Sequence, residues 1–164
     1  MILDNFYTLS GAVSAAGVLT GQSVTGTNTS VLSTNTVDLG PLTIGGNQVG
    51  DLGNGEPMEL AFSILAAPTV GTSVQFQLIQ ADDTALSSNV QVIVQTDAIP
   101  IASLPVNTIV PLHWDRAAPY APKRYIGARY VLVGAIATTS VFAALVKSIQ
   151  DSKNIFFKSG FAVL

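Results

Sequence analysis

Apolar and polar side chains alternate with a period of two over several short stretches of this chain, as in strands that turn one face inward. Met58, Leu60, Phe62 and Ile64 alternate with Glu59, Ala61, Ser63 and Leu65. Val74, Phe76 and Leu78 alternate with Gln75, Gln77 and Ile79, and Val90, Val92 and Val94 with Gln91, Ile93 and Gln95. Thr36–Leu39 reads as a shorter strand entering a turn at Gly40-Pro41. Ile109–Trp114 reads as a strand containing Pro111, which belongs at an edge or a bulge because proline has no N–H to give a ladder. Turn formers stand between these segments: Gly45-Gly46-Asn47, Gly53-Asn54-Gly55, Ala67-Pro68, Ala81-Asp82-Asp83, Ile99-Pro100 and Leu104-Pro105.

The longest apolar run, Tyr130–Val146, carries no charge, with Lys123, Arg124 and Arg129 before it and Lys147 after it. Its 17 residues sit at the lower limit for a membrane-spanning helix. Its centre, Gly134-Ala135-Ile136-Ala137-Thr138-Thr139-Ser140, has poor helix propensity and suits a turn between strands. The run therefore reads as a β-hairpin, about Arg124–Ala137 and Ser140–Ser148, and not as a membrane span. Both faces of these strands are largely apolar, which predicts cover on both sides, by the core and by another subunit or partner.

Asn5–Val37 is uncharged and rich in Ser, Thr, Gly and Ala, with only scattered large apolar residues such as Val13, Leu19, Val24 and Val31. Such a tract is too poor in large side chains for a core of its own. Residues 1–35 are predicted to form an extended arm lying on a neighbouring surface and ordered on assembly. Residues 36–164 are predicted to form one sandwich domain. The apolar tail, with Phe156, Phe157 and Phe161, is expected to close a sheet edge or dock on a neighbour. The expected class is all-β: a jelly roll or β-sandwich of about eight antiparallel strands with an extended N-terminal arm.

Charge alters this picture. Charged residues make up 10% of the chain and the mean hydropathy is +0.48, so apolar surface is expected to be hidden against something besides the chain's own core. Residues 1–100 hold eight acids and no Lys or Arg, and residues 101–164 hold two acids and seven bases, giving −8 against +5. That division suits ordered assembly of like copies or docking on a charged partner. The chain has no cysteine, which excludes disulfides and thiolate chemistry. Its first residues lack the basic and apolar regions of a secretion signal, with Asp4 where Lys or Arg would stand.

Catalytic constellations are not supported. His113 is the sole histidine, and in Leu112-His113-Trp114-Asp115 it is expected to pair structurally with Asp115. Asp83-Thr84-Ala85 matches the aspartic-protease triplet but follows Gln80-Ala81-Asp82 instead of an apolar strand, so a turn explains it better. Asp51, Asn54 and Glu56 offer oxygen ligands at calcium-loop spacing without the acid density such a loop needs. No metal, cofactor or catalytic residue is assigned. With a net charge of −3, the Lys123, Arg124, Tyr125, Arg129, Tyr130 cluster points to a protein interface and not to nucleic acid.

A resemblance runs over nearly the whole length. It rests on Met1-Ile2-Leu3-Asp4, Ser33-Thr34-Asn35-Thr36-Val37-Asp38-Leu39-Gly40 and Gly53-Asn54-Gly55-Glu56-Pro57-Met58-Glu59-Leu60, continuing with Lys123-Arg124-Tyr125-Ile126-Gly127-Ala128-Arg129-Tyr130 and Ser159-Gly160-Phe161-Ala162-Val163. The chain thereby resembles the jelly-roll capsid cement, or head-decoration, proteins of tailed bacteriophages, of the Bordetella-phage type. That resemblance implies a non-enzymatic virion protein, made in the host cytoplasm, that sits on the outer surface of the icosahedral head as a homodimer or homotrimer. There it would tie major capsid proteins together. Expected subunit or capsid contacts are Lys123, Arg124, Tyr125, Arg129, Tyr130, Phe156, Phe157 and Phe161. The competing expectation is a receptor- or carbohydrate-binding jelly roll of a fibre or spike, whose aromatic platform would have to use Trp114, the single tryptophan.

Overall fold

In the computed structural model the chain is described over residues 5–40, 43–44, 47–48, 58–114 and 123–147. Seventeen strands follow in order. The N-terminal ones are short: β1 Thr8–Ser10, β2 Ala12–Val13, β3 Leu19–Thr20, β4 Gln22–Ser23, β5 Gly26–Thr27, β6 Ser30–Leu32, β7 Val37–Asp38, β8 Thr43–Ile44 and β9 Asn47–Gln48. The longer ones are β10 Met58–Ala66, β11 Ser73–Ala81, β12 Gln91–Gln95, β14 Ile109–Trp114, β15 Tyr125–Val133 and β17 Ser140–Val146, with two-residue β13 Ile99–Pro100 and β16 Ala135–Ile136 between them.

Two antiparallel sheets face each other. The first has the order β1-β17-β10-β14, and β4 continues the β1 edge along β17. The second has the order β12-β11-β15-β6, with β13 continuing β12 along β11 and β7 continuing β6 along β15. Counting each interrupted edge as one strand leaves four per sheet. Taken in chain order, the first then pairs with the last, the second with the seventh, the third with the sixth and the fourth with the fifth. Such nested pairing is the jelly roll, one long hairpin folded over into two Greek keys.

The period-two pattern sets what lies between the sheets. Leu60, Phe62 and Ile64 from β10 meet Val74, Phe76 and Leu78 from β11, all fully buried. At the centre the Phe62 ring lies 4.8 Å from Phe76 and 5.7 Å from Tyr130, in tilted and edge-on arrangements. Burial of each such side chain contributes about 1.5–3 kcal/mol. The Tyr130 hydroxyl, which has no water to turn to, donates to Ser10 Oγ across the sandwich at 2.7 Å. Pro111 lies on β14, which among the described residues is an edge strand bonded to β10 alone, a place where a missing N–H is tolerated.

Three expectations require revision. The strands on either side of Gly134–Thr139 form no hairpin: β15 belongs to the second sheet and β17 to the first. The connection crosses between sheets, with Gly134 and Thr138 at positive φ and the Gly134 N–H held by Asn28 Oδ1. Cover on both faces is complete for β17 alone, where outward Phe142, Ala144 and Val146 are as buried as inward Val141, Ala143 and Leu145. On β15 the outward Arg129 and Val131 are half-buried and Val133 is exposed. Finally, the stretch expected as an arm is extended but lies on the chain's own sandwich. β1 and β4 edge the first sheet, β6 and β7 edge the second, and Leu9, Val24 and Val37 are buried in the core. The expected boundary at residue 35 thus falls between two strands bonded to the same neighbour, β15. A segment poor in large side chains cannot build a core, yet two or three buried residues suffice for an edge strand.

Candidate functional site

The basic cluster expected to carry interfaces begins where β15 begins, at one end of the sandwich. Lys123 Nζ lies 2.7 Å from Asp82 Oδ1. Arg124 grips Asp38 with two parallel bonds, Nε to Oδ1 at 2.7 Å and Nη2 to Oδ2 at 2.8 Å, while its guanidinium stacks 5.0 Å from the Tyr125 ring centre. The Arg124 fork holds the Asp38 carboxyl below its ordinary pKa, helped by the Gly40 N–H. Lys123, then Asn89, does the same for Asp82. The acidic and basic halves of the sequence therefore interleave in space: each of these pairs joins a residue before position 100 to one after it. Little of their charge is left over for steering a partner.

Beside these pairs a loop folds over the outer face of the second sheet. Asp83 organises it, accepting the Ser87 and Ser88 N–H groups at 2.8 Å each on Oδ1 and the Ser87 hydroxyl at 2.6 Å on Oδ2. These bonds, the Ser87 hydroxyl first, lower the Asp83 pKa. The protease-like triplet is thus a loop brace, its carboxylate fully committed. The loop presses Leu86 onto Gly127, where a Cβ would collide with Leu86 Cδ1, and forms a small second core with Ile79 and Ala81, flanked by Leu32, Val92 and Tyr125.

Further along the same face lies a row of amides. Cross-strand register sets Leu32, Arg129, Gln77 and Gln95 side by side on four neighbouring strands. Arg129 Nε donates to Gln77 Oε1. The Gln77 amide nitrogen in turn reaches Gln95 Oε1 at 2.8 Å and Gln75 Oε1 at 3.2 Å, and Gln75 donates to the Thr96 carbonyl at 2.9 Å. Sequence reading found Arg129 but missed this relay. The repeated glutamines at outward positions of β11 and β12 were the available signal.

The remaining candidates divide. Tyr130 is wholly buried in the core, so its side chain touches no second chain, and burial raises its pKa. Arg129 and Tyr125 are half-buried on the outer face. Phe156, Phe157 and Phe161 lie outside the described residues, as do Asp51, Asn54, Glu56 and Asp115. His113 sits exposed opposite its cross-strand neighbour Glu59, with Nδ1 3.6 Å from the carboxylate; its expected partner Asp115 lies outside the described residues. Trp114 packs against the core with its indole nitrogen buried and, among the described residues, unbonded, which ill suits a platform for sugars. Among the described residues no group of three or more His, Cys, Asp or Glu is arranged to hold a metal ion. Among them, too, no helix is long and apolar enough to cross a membrane.

No curated protein matches the chain. A protein-family model, Bbp16, matches residues 18–146, from the β2–β3 turn to the end of β17. The matched span holds every strand of the second sheet and, of the first, all but β1. The chain belongs to the Bbp16 family, that of a Bordetella phage protein, and is consistent with a phage structural protein.

Proposed function

We propose that the protein is a capsid cement, or decoration, protein. It acts without catalysis on the outer surface of the phage head, where oligomers bind major capsid proteins and hold neighbouring ones together. The observation that carries this reading is the family match over residues 18–146 on a jelly-roll frame. The site geometry agrees with it: the carboxylates of Asp38, Asp82 and Asp83 brace the fold and are committed to partners within the chain. Among the described residues the outer face of the second sheet offers an outside partner amides, Arg129 and half-buried aliphatic side chains. Such a face suits many modest contacts, which a repeating lattice multiplies into high avidity.

The test is direct. Purified protein added to expanded heads of the cognate major capsid protein should bind in a fixed ratio and raise the temperature at which heads disrupt by several degrees. Heads that disrupt at the same temperature with and without saturating protein would refute the reading.

A further inference from the structure

Along the second sheet two charges of opposite sign lack ionic partners among the described residues, Arg129 on the outer face of β15 and Asp97 in the link from β12 to β13. Arg129 is half-buried, and its bonded partner is the neutral Gln77 amide. Asp97 stands exposed two residues beyond Gln95, and none of its carboxylate oxygens has a partner there. Elsewhere on the molecule Lys123 and Arg124 face carboxylates directly. A chain with so few charges that keeps a half-buried cation on a sheet face, uncompensated among the described residues, carries a desolvation cost that an outside anion would relieve. The cation is also held ready. The Gln77 relay fixes the guanidinium from the Nε side and leaves the Nη edge, which suits a carboxylate, unbonded among the described residues.

We infer that this face is where two copies of the chain meet, Arg129 of one against Asp97 of the other. This deepens the reading as an oligomeric cement protein by naming the surface through which copies join. Arg129 lies two strands from Gln95, about 10 Å away at ordinary strand spacing, so Arg129 and Asp97 of one chain are separated across the face. A twofold axis lying in the face, midway between them, brings each arginine onto the other copy's aspartate. A twofold contact must be self-complementary, with each residue meeting its mate twice. That axis crosses β11 between Gln75 and Gln77, and an amide, being donor and acceptor at once, can pair with its own copy. Val131, Val133 and Leu32 supply the apolar margin. Four strands of this length offer about 500 Å² per copy, the lower end for a specific interface, so the two charge pairs decide whether it holds.

Sedimentation equilibrium of the full chain tests this. The wild type should form dimers, and Arg129→Glu and Asp97→Lys should each weaken self-association at least tenfold. The double variant Arg129→Glu/Asp97→Lys should recover most of the loss, because the pairs re-form with signs exchanged. Should Arg129→Glu fail to fold, Asp97→Lys decides alone, since it alters an exposed side chain. A wild type that stays monomeric, forms trimers, or yields a double variant no better than the singles would overturn the inference. The outcome is independent of head stabilisation: dimers that leave heads unprotected would sink the cement reading and keep this interface. Single variants that still dimerise but no longer bind heads would assign Arg129 and Asp97 to the capsid and overturn it.

Discussion

Gly127 shows how one missing methyl shapes an outer face. Its position on β15 lets Leu86 close over the sheet, and a Cβ there would meet Leu86 Cδ1 as well as Ser33 Oγ, 2.9 Å away. Ser33 Oγ in turn accepts the Ala128 N–H at 3.0 Å. Gly127→Ala should therefore destabilise the protein by about 1–3 kcal/mol, the usual range for overfilling a packed site. Adding Leu86→Ala removes the main collision, so in urea unfolding the double variant should cost clearly less than the sum of the singles. Additive costs would mean that Leu86 and Gly127 do not share this contact. Little of this was legible in the sequence: Leu86 lies in a Ser- and Asp-rich loop, and nothing local announces that it caps a sheet. Tyr130 was misread for a related reason. Its neighbours Arg129 and Tyr125 point outward, but period two sends Tyr130 inward to Phe62 and Phe76. Here the alternation outweighs the aromatic residue's general preference for interfaces.

The Asp82–Asn89 loop and the start of β15 form one braced corner, and acid should loosen it first. Asp38, Asp82 and Asp83 all have folded pKa values below the ordinary one, each mainly through a side-chain hydrogen bond, from Arg124, Lys123 and Ser87 respectively. Groups lowered in this way contribute stability that is fully present above the unfolded carboxylate pKa of about 4 and is lost as pH falls through the lower folded values. Thermal melts should thus be flat near neutrality and drop below about pH 4. Asp83→Asn should melt lower than wild type at pH 7, with the gap closing toward pH 2. A gap unchanged down to pH 2 would show that the Asp83 charge does not brace the loop. At this scale the sequence was informative about the long strands, because β10, β11 and β14 carry a clean alternation and turn formers at their ends; on β12 a bulge breaks the alternation, sending Val94 to the main core and Val92 to the outer one. It was silent about which strands pair. β15 and β17 look like a hairpin because they are adjacent and joined by turn residues; only the demands of two sheets, each needing central apolar strands, separate them. β1, β4 and β6 escaped notice because two or three residues are too few to show a period.

Considered whole, the molecule has its described ion pairs gathered at one end, where β7, β11 and β15 meet the braced loop. The connections at the other end, around 67–72 and 134–139, carry no charge. The acidic and basic halves of the sequence could not predict this, since the jelly roll laces them together strand by strand. The same lacing governs how the protein comes into being. β1 pairs with β17, Thr8 lying opposite Ala144, so the first strand made must wait for nearly the last. The closing of such distant contacts is slow, and refolding is expected in milliseconds to seconds, without the microsecond phases of locally folded proteins. On the ribosome, the exposed edge of β10 that β17 will cover stays open until residue 146 has emerged from the exit tunnel. Nascent chains stalled before Ser140 should accordingly remain protease-sensitive throughout, and resistance should arrive in one step once β17 is free. Crowded on a polysome making many copies at once, those waiting edges are the stage at which synthesis of this protein is most vulnerable to mispairing.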